Sequence, residues 1–196
     1  MPLILGGSAD LTPSNNTHFE GAEDFQKTNP SGRYLRYGVR EHGMAAVMNG
    51  IAANGILRPY AGTFLVFADY MRGAIRVAAL AKYSTIFLFT HDSIGVGEDG
   101  PTHQPVDQVA NLRNTPNLHT WRPCDTVESA VSWKSAIERN EGPSALVVAR
   151  QGLPPQERDT EQVAASAKGG YVIKECEGKP DAIIIASGFD VKVPMQ

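Results

Sequence analysis

The segment IFLFTHDSIGVGEDGPTHQ at residues 86–104 is the clearest indication of the fold class, because an unbroken apolar run passes directly into a polar, glycine-rich loop. A strand that helices cover on both faces is apolar at nearly every position, so residues 86–89 predict a strand inside a parallel sheet. Parallel α/β sheets bind ligands beyond the carboxyl ends of their strands. The loop that begins at Thr90 is therefore where we first expect a functional site.

Strand and helix patterns alternate on both sides of this run. Further strands are predicted at residues 3–5, 34–38 and 145–149. Helices are predicted where apolar residues recur at three- and four-residue steps, at residues 41–54, 64–82 and 126–140. This alternation predicts an α/β fold, with a doubly wound, mainly parallel sheet and helices on both of its faces.

The composition changes near the end of this pattern, where residues 156–170 contain a charge-rich run and a Gly-Gly pair. We interpret residues 156–170 as a linker that follows a first domain at residues 1–155. Residues 171–173 and 182–186 then predict two new strands. Residues 171–196 are fewer than the roughly 40 that usually sustain a core unaided, so they are interpreted as the incomplete start of a second domain.

The composition also excludes several classes of protein. The chain has 196 residues, 42% of them hydrophobic and 20% charged, which is typical of a globular protein. A net charge of −3 gives no general attraction to nucleic acid or to an anionic membrane, so any phosphate must be bound locally. Cys124 and Cys176 have no metal-binding or disulfide pattern. With no targeting signal or membrane-spanning segment in the sequence, we expect a cytoplasmic protein.

The loop after residue 89 concentrates groups that exchange protons near neutral pH. These groups are His91, Asp92, Glu98, Asp99 and His103. Capping carboxylates and solvated histidines are the alternative interpretation. A zinc site made by His91, Asp99 and His103 is disfavoured, because no helical histidine spacing or thiolate supports it, and no metal site is predicted.

The same loop matches the dinucleotide-binding pattern G-x-G-x-x-G at Gly95, Gly97 and Gly100. Glu98 and Asp99 would place negative charge inside a pyrophosphate cradle, and the residues that follow do not read as a crossover helix. We therefore interpret these glycines as turn residues.

Two further groups have both a structural and a functional interpretation. Aromatic side chains at steps of three along the predicted second helix are Phe64, Phe67 and Tyr70. They either pack in the core or form a wall for a planar ring. Polar side chains at or beyond predicted strand ends are Ser14, His91 and Arg150, a set that suits a phosphate.

Six segments in order resemble the transketolase family. They are GGSADLTPSN at 6–15, RYGVREHGM at 36–44, GTFLVFADY at 62–70, THDSIGVGEDGPTHQP at 90–105, TWRPCD at 120–125 and ARQGLPPQ at 149–156. The likeness covers nearly the whole chain and is specific to the pyrimidine-binding middle domain and the start of the C-terminal domain. Fungal members look most similar.

The resemblance implies a thiamine diphosphate enzyme of the pentose phosphate pathway. Such an enzyme transfers a two-carbon ketol unit from a ketose phosphate such as xylulose 5-phosphate to an aldose phosphate such as ribose 5-phosphate. Glu41 matches the family glutamate that hydrogen-bonds the aminopyrimidine ring, which requires a buried, protonated carboxyl group. A charge in the first turn of a helix is the alternative role of Glu41.

The resemblance also implies roles for the other candidates. The residues that would contact the cofactor are Phe64, Phe67 and Tyr70 around the aminopyrimidine and Asp10 near the thiazolium ring. His103, with a catalytic role, and Asp99 match residues that meet the first hydroxyl groups of the ketose. The residues that match the sugar-phosphate site are His91, Arg150 and Ser14.

The sequence also departs from the family pattern. It lacks the Gly-Asp-Gly and Asn motif of an upstream domain, so the ligands of magnesium (or calcium) and of the diphosphate lie outside it. The family implies a homodimer for the complete enzyme, and we expect this chain alone to be inactive. A relative of dihydroxyacetone synthase and a non-catalytic interaction module that retains the fold are the alternatives.

Overall fold

The computed structural model describes residues 3–195 and contains one sheet of six strands, all of them parallel. The strands are β1 Leu3–Ser8, β2 Tyr34–Arg36, β3 Leu57–Phe64, β4 Ile86–Thr90, β5 His119–Trp121 and β6 Ser144–Val147. The helices are α1 Thr12–Asn15, α2 Glu41–Asn54, α3 Ala68–Leu80, α4 Gln108–Arg113, α5 Thr126–Glu138 and α6 Thr160–Ser166. The strand order β2-β1-β3-β4-β6-β5 and the parallel pairing confirm the predicted α/β fold.

Side chains of the central strands alternate between two apolar layers. On one face, Phe87 and Phe89 of β4 pack in a core that includes Met44 and Met48 of α2 and residues of α3. On the other face, side chains of β3, β4 and β6 pack with Trp133 and its neighbours on α5. Helices therefore cover both faces, which is why β4 is apolar at four successive positions.

β3 lies between β1 and β4, yet the sequence analysis predicts no strand there. Pro59 and Gly62 are typical of the end of a strand or of a turn, although this segment is buried along nearly its whole length. Gly62 permits a close approach of neighbouring chain, since a Cβ at this position would lie 2.6 Å from Cγ2 of Thr17. Tertiary packing thus overrides a local turn signal.

The helix predicted at residues 64–82 is shorter than expected. Phe64 is the last residue of β3, Leu65–Phe67 form a 3₁₀ turn, and α3 runs over Ala68–Leu80. The aromatic side chains at steps of three therefore do not lie along one helix. They follow the turn from strand to helix.

The segments outside the central pattern differ most from expectation. β1 continues through Gly6 and Gly7 to Ser8, and neither α4 nor β5 was predicted. The predicted linker contains α6, whose first turn has a reciprocal capping box between Asp159 and Gln162.

The strands predicted at residues 171–173 and 182–186 are wrong for this structure. Neither segment pairs with a strand, and Ile183, Ile184 and Ile185 are exposed. A strand needs a partner for its backbone N–H and C=O groups, and none of the described residues provides one for these segments. None of the helices between residues 3 and 195 is long and apolar enough to cross a membrane.

Candidate active site

The predicted site residues follow the carboxyl ends of neighbouring strands. Asp10 and Ser14 follow β1, Glu41 follows β2, and Phe64 is the last residue of β3. His91, Asp99 and His103 follow β4, and Arg150 follows β6. Because all strands are parallel, these segments emerge at one edge of the sheet, where α/β proteins bind ligands.

A cavity of about 450 Å³ opens at this edge. Its lining includes the predicted residues Ser14, Phe64, His91, Asp99 and Arg150. The volume is in the range typical of pockets for small ligands. The structure therefore brings the predicted phosphate-binding group and one of the predicted sugar-binding residues to one cavity.

Asp99 lies between two cationic or potentially cationic side chains. Its Oδ2 atom is 3.8 Å from Nε2 of His91 and 3.6 Å from Nε of Arg150. Both distances exceed a hydrogen bond, and this buried oxygen has no hydrogen-bond partner among the described residues. A hydroxyl group of a bound ligand would supply the missing donor.

His91 is buried at the end of β4 in a left-handed conformation, with φ of 60°. A residue other than glycine in this conformation is strained unless its surroundings hold it. Burial lowers the pKa of His91, the Asp99 and Asp92 carboxylates oppose this effect, and Arg150 and His103 add to it. The net effect lowers the pKa of His91, which favours the neutral imidazole.

The three aromatic side chains form a continuous row that runs from the interior to the surface. The Phe64 ring stacks on His91 with centroids 3.7 Å apart, and the Phe67 ring lies parallel to Phe64 at 6.0 Å. Tyr70 is tilted against Phe67 and is 68% exposed. Phe64 is thus a core residue, whereas the outer part of the row presents aromatic surface to solvent.

His103 joins the aromatic row to the loop after β4. Its ring meets Phe67 edge-on at 5.3 Å and Phe64 at 5.9 Å. The hydroxyl of Thr102 lies 2.8 Å from Nδ1 of His103, and the imidazole is half-buried. His103 therefore lies against the aromatic row, of which Phe64 also lines the cavity that contains His91.

Glu41 and Asp10 are not joined to this cluster. Glu41 is the first residue of α2 and is only 9% exposed, as its predicted role requires. Asp10 is exposed and has a φ of 63°. Within residues 3–195, no hydrogen bond or ion pair links either carboxylate to the residues around His91.

Sequence reasoning missed the buried polar residues behind His91, namely Ser8, Asn15 and Thr90. Ser8 and Thr90 are polar residues at the ends of β1 and β4, and this was the only available signal, since β3, which separates the two strands, was not predicted. The described residues contain no cluster of three or more His, Cys, Asp or Glu side chains that could hold a metal ion.

The fold and the cavity define an α/β domain with a pocket of small-ligand size at the carboxyl edge of a parallel sheet. Residues 1–156 match the family model described as the transketolase pyrimidine-binding domain. The chain belongs to this family, which confirms the resemblance found in the sequence.

Named transketolases match along the whole chain. Transketolase 2 of Aliivibrio fischeri is 58% identical over 196 residues, which are 100% of this chain and 30% of that protein. A crystal structure of Pichia stipitis transketolase with sedoheptulose 7-phosphate superposes with a TM-score of 0.92, at 48% identity over 98% of this chain and 29% of the other. The bacterial protein is the more similar of the two, so the likeness is not specifically fungal.

A split-gene transketolase, described as an inactive β4 tetramer, has a TM-score of 0.61 at 29% identity. The superposition covers 79% of the present chain and 47% of the split-gene protein. The present chain spans about 30% of the length of the curated relatives that it matches.

Proposed function

We propose that this chain provides the pyrimidine-binding part of a transketolase, which transfers a two-carbon ketol unit from xylulose 5-phosphate to ribose 5-phosphate in the pentose phosphate pathway. The observation that carries the proposal is the cavity at the carboxyl edge of the sheet, where His91, Asp99 and Arg150 converge beside an aromatic row. The family membership and the identity to named transketolases support it.

The aromatic row and Glu41 fit thiamine diphosphate, the cofactor that the family implies. Phe67 and Tyr70 present aromatic surface that can stack on a planar ring, and Phe64 anchors them to the core. Glu41 is buried at the start of α2, where a carboxyl group can hold a proton at a ring nitrogen. When bound, the cofactor supplies the carbon nucleophile and the electron sink that ketol transfer needs.

The cavity fits the two ends of a sugar phosphate. Arg150, His91 and Ser14 bind the phosphate, which local positive charge must attract because the chain as a whole is acidic. The unpartnered Oδ2 of Asp99 accepts a hydrogen bond from a sugar hydroxyl. His103, on the side of the aromatic row, meets the hydroxyl groups next to the reacting carbon and exchanges protons with them.

The complete site needs parts that these residues do not supply. We place the ligands of magnesium (or calcium) and of the diphosphate in another domain of the complete protein. In our proposal the complete protein is a cytoplasmic homodimer, in which the pyrimidine-binding domain of one subunit faces the diphosphate-binding domain of the other. The first domain ends near residue 155, which the extent of the family match to residue 156 supports. A linker and the start of a C-terminal domain follow.

The first experiment measures ketol transfer from xylulose 5-phosphate to ribose 5-phosphate with thiamine diphosphate and magnesium. It compares this chain alone with a longer protein that also carries the missing domains. Activity only in the longer protein is the expected result. A folded, cofactor-binding longer protein without this activity would contradict the proposal, and transfer to formaldehyde instead would favour the dihydroxyacetone synthase alternative.

Glu41→Gln tests the cofactor assignment in the longer protein. We expect kcat to fall about 100-fold or more, because positioned proton transfer contributes about 10²–10⁴-fold. The fold and its thermal unfolding should change little, since the amide keeps the shape of the side chain. Glu20→Gln, at an exposed carboxylate, is the matched control. Unchanged turnover in Glu41→Gln would contradict the assignment.

A further inference from the structure

A chain of buried hydrogen bonds runs from β1 to His91. The Ser8 hydroxyl oxygen accepts hydrogen bonds from the backbone N–H of Leu11 and from the Asn15 side-chain amide, both at 3.2 Å. Oδ1 of Asn15 accepts from the Thr90 hydroxyl at 2.7 Å. The same hydroxyl oxygen of Thr90 lies 2.9 Å from Nδ1 of His91. The side chains that form this series of hydrogen bonds are all buried.

The direction of each hydrogen bond in this series determines which nitrogen of His91 carries a proton. A hydroxyl group has one proton, and Thr90 donates it to Oδ1 of Asn15, which can only accept. The Thr90 oxygen therefore accepts from Nδ1 of His91. A neutral imidazole has one N–H, so Nε2 carries the lone pair and faces the cavity, with Oδ2 of Asp99 at 3.8 Å.

Burial, more than the charged groups around it, favours the neutral form of the His91 imidazole in the ligand-free protein. Asp99 and Asp92 favour the protonated form, whereas Arg150 and His103 oppose it. Burial against Phe64 is the largest influence and lowers the pKa of His91. Nε2 therefore presents a lone pair to the place where the proposed function puts a phosphate.

We propose that Asn15 and Thr90 are positioning residues that hold His91 as the Nδ1–H tautomer, and that a phosphate ester binds in the cavity with uptake of one proton at Nε2. For a neutral imidazole the tautomer follows from the hydrogen bonds, and the phosphate half rests on the proposed function. A lone pair on Nε2 repels phosphate oxygens. Protonation turns Nε2 into a charged donor, the proton comes from solvent, and the Nδ1–H bond to Thr90 is kept.

The tautomer is measured first, by two-bond ¹⁵N–¹H NMR of the ¹⁵N-labelled chain at neutral pH. The chain has five histidines, and the signals of His91 are those that disappear in His91→Gln. We expect a protonated Nδ1 and an unprotonated Nε2. The opposite tautomer, or an average of the two, would overturn the proposal.

Thr90→Val tests the positioning role, because it removes the hydroxyl and keeps the shape of the side chain. The fixed tautomer of His91 should be lost. Thr102→Val is a matched control, since Thr102 makes a similar contact with Nδ1 of the adjacent His103. It should leave the His91 signals unchanged. His91 signals that do not change in Thr90→Val would refute the role of Thr90. If this variant does not fold, the spectrum of the wild-type protein still decides the tautomer.

Proton uptake is measured by calorimetric titration of the complete protein with ribose 5-phosphate in buffers of different ionisation enthalpy. Above about pH 7 a phosphate ester is a dianion. As the pH rises further, the affinity for ribose 5-phosphate should fall about tenfold per pH unit until the pH reaches the pKa of His91 in the complex. Binding of ribose 5-phosphate without proton uptake would overturn the phosphate half of the proposal and leave the proposed function intact. Failure to bind any sugar phosphate would count against the proposed function, whereas the tautomer would stand.

Discussion

Asp99 and Arg150 illustrate how single side chains can make one cavity suit a ligand with two different ends. Arg150 is partly exposed, and its Nε atom lies 3.6 Å from Oδ2 of Asp99 without a hydrogen bond. A guanidinium that is not committed to a carboxylate keeps its donors for a phosphate. The carboxylate in turn lowers the net charge of the cavity, which favours a ligand that offers hydroxyl groups as well as phosphate.

Arg150→Ala should weaken the binding of phosphorylated substrates in the complete protein. We expect KM for ribose 5-phosphate to rise about tenfold or more, since a hydrogen bond to a charged group contributes about 1.5–3 kcal/mol. KM for unphosphorylated ribose should change little. Steady-state kinetics with the two acceptors, and with Arg33→Ala as a control at an exposed arginine just before β2, measure the difference. Equal effects on both acceptors would contradict a phosphate-binding role.

The sequence predicted the residues that line the cavity better than it predicted their environment. His91, Asp99 and Arg150 follow strands that are recognisable from apolar runs, so their meeting at one edge follows from topology. The link between Asn15 and Thr90 depends on the register of β1 against β3 and of β3 against β4. Because β3 was not predicted, no sequence pattern could place these two side chains together.

Among the secondary structure elements, α5 is fixed at its first turn by a buried ionic network. The N-cap residue Asp125 accepts hydrogen bonds from the backbone N–H groups of Glu128 at 3.0 Å and Gln156 at 2.9 Å. Arg158 donates to Asp125 at 2.5 Å, and the side chains of both are 1% exposed. Tyr171 donates to Glu128 at 2.6 Å. Residues on both sides of α6 are thereby attached to the start of α5.

Asp125→Asn should destabilise the chain in a pH-dependent manner. Burial by itself raises the pKa of Asp125, but the N–H donors and Arg158 outweigh it, so the pKa is lowered in the folded state. The charge therefore stabilises the fold above the unfolded pKa of about 3.9, and this contribution is lost as pH falls through the folded pKa. At pH 7 we expect a loss on the order of 3 kcal/mol, because Arg158 loses a buried partner.

Urea unfolding of the chain and of Asp125→Asn over a range of pH measures this contribution. The gap between the two proteins should close as the pH falls below about 4. Asp159→Asn is the control, because Asp159 also caps a helix but is exposed, and the buried Arg158 pairs with Asp125 and Glu128 instead. Asn is about as good a cap as Asp, so its effect should be small. A gap that stays constant with pH would show that the charge of Asp125 is not what stabilises α5.

Among the elements, strands buried in the middle of the sheet were predictable only where no residue contradicted the pattern. The uninterrupted run of β4 predicted a strand, whereas Pro59 and Gly62 hid β3. β5 is too short to show a period. The apolar run at residues 182–186 has the composition of a strand and yet forms none, because strand formation depends on a partner that the local sequence does not specify.

Across the molecule, Arg122 connects the loop of the candidate site to the C-terminal segment. Asp92 is the residue after His91, and its Oδ2 atom lies 2.9 Å from both Nε and one terminal nitrogen of Arg122. The other terminal nitrogen of Arg122 lies 2.5 Å from Oδ2 of Asp190. Gly188 has a φ of 57°, and a Cβ there would lie 2.7 Å from Cγ of Arg122. The short turn Gly188–Lys192 is therefore packed against the loop after β4.

Arg122→Met should loosen both ends of this connection, whereas Asp190→Asn should loosen only one. The Asp92 side chain is completely buried, so loss of Arg122 leaves an unpaired charge in the interior, at a cost of about 3–5 kcal/mol in the free energy of unfolding. The Asp190 side chain is 57% exposed, so its loss should cost at most about 1 kcal/mol. Urea unfolding measures both values.

Hydrogen exchange of the backbone amides locates the effect of each variant. Arg122→Met should increase exchange both in the loop that contains His91 and Asp92 and in Gly188–Lys192, because Arg122 is bonded to both. Asp190→Asn should increase exchange in Gly188–Lys192 only. Equal losses of stability in the two variants, or a loop that is unaffected by Arg122→Met, would contradict the view that Asp92 is held through Arg122. The outcome also bears on the site, since a loop that loosens with Arg122→Met would make the geometry around His91 dependent on the ion pair between Arg122 and Asp92.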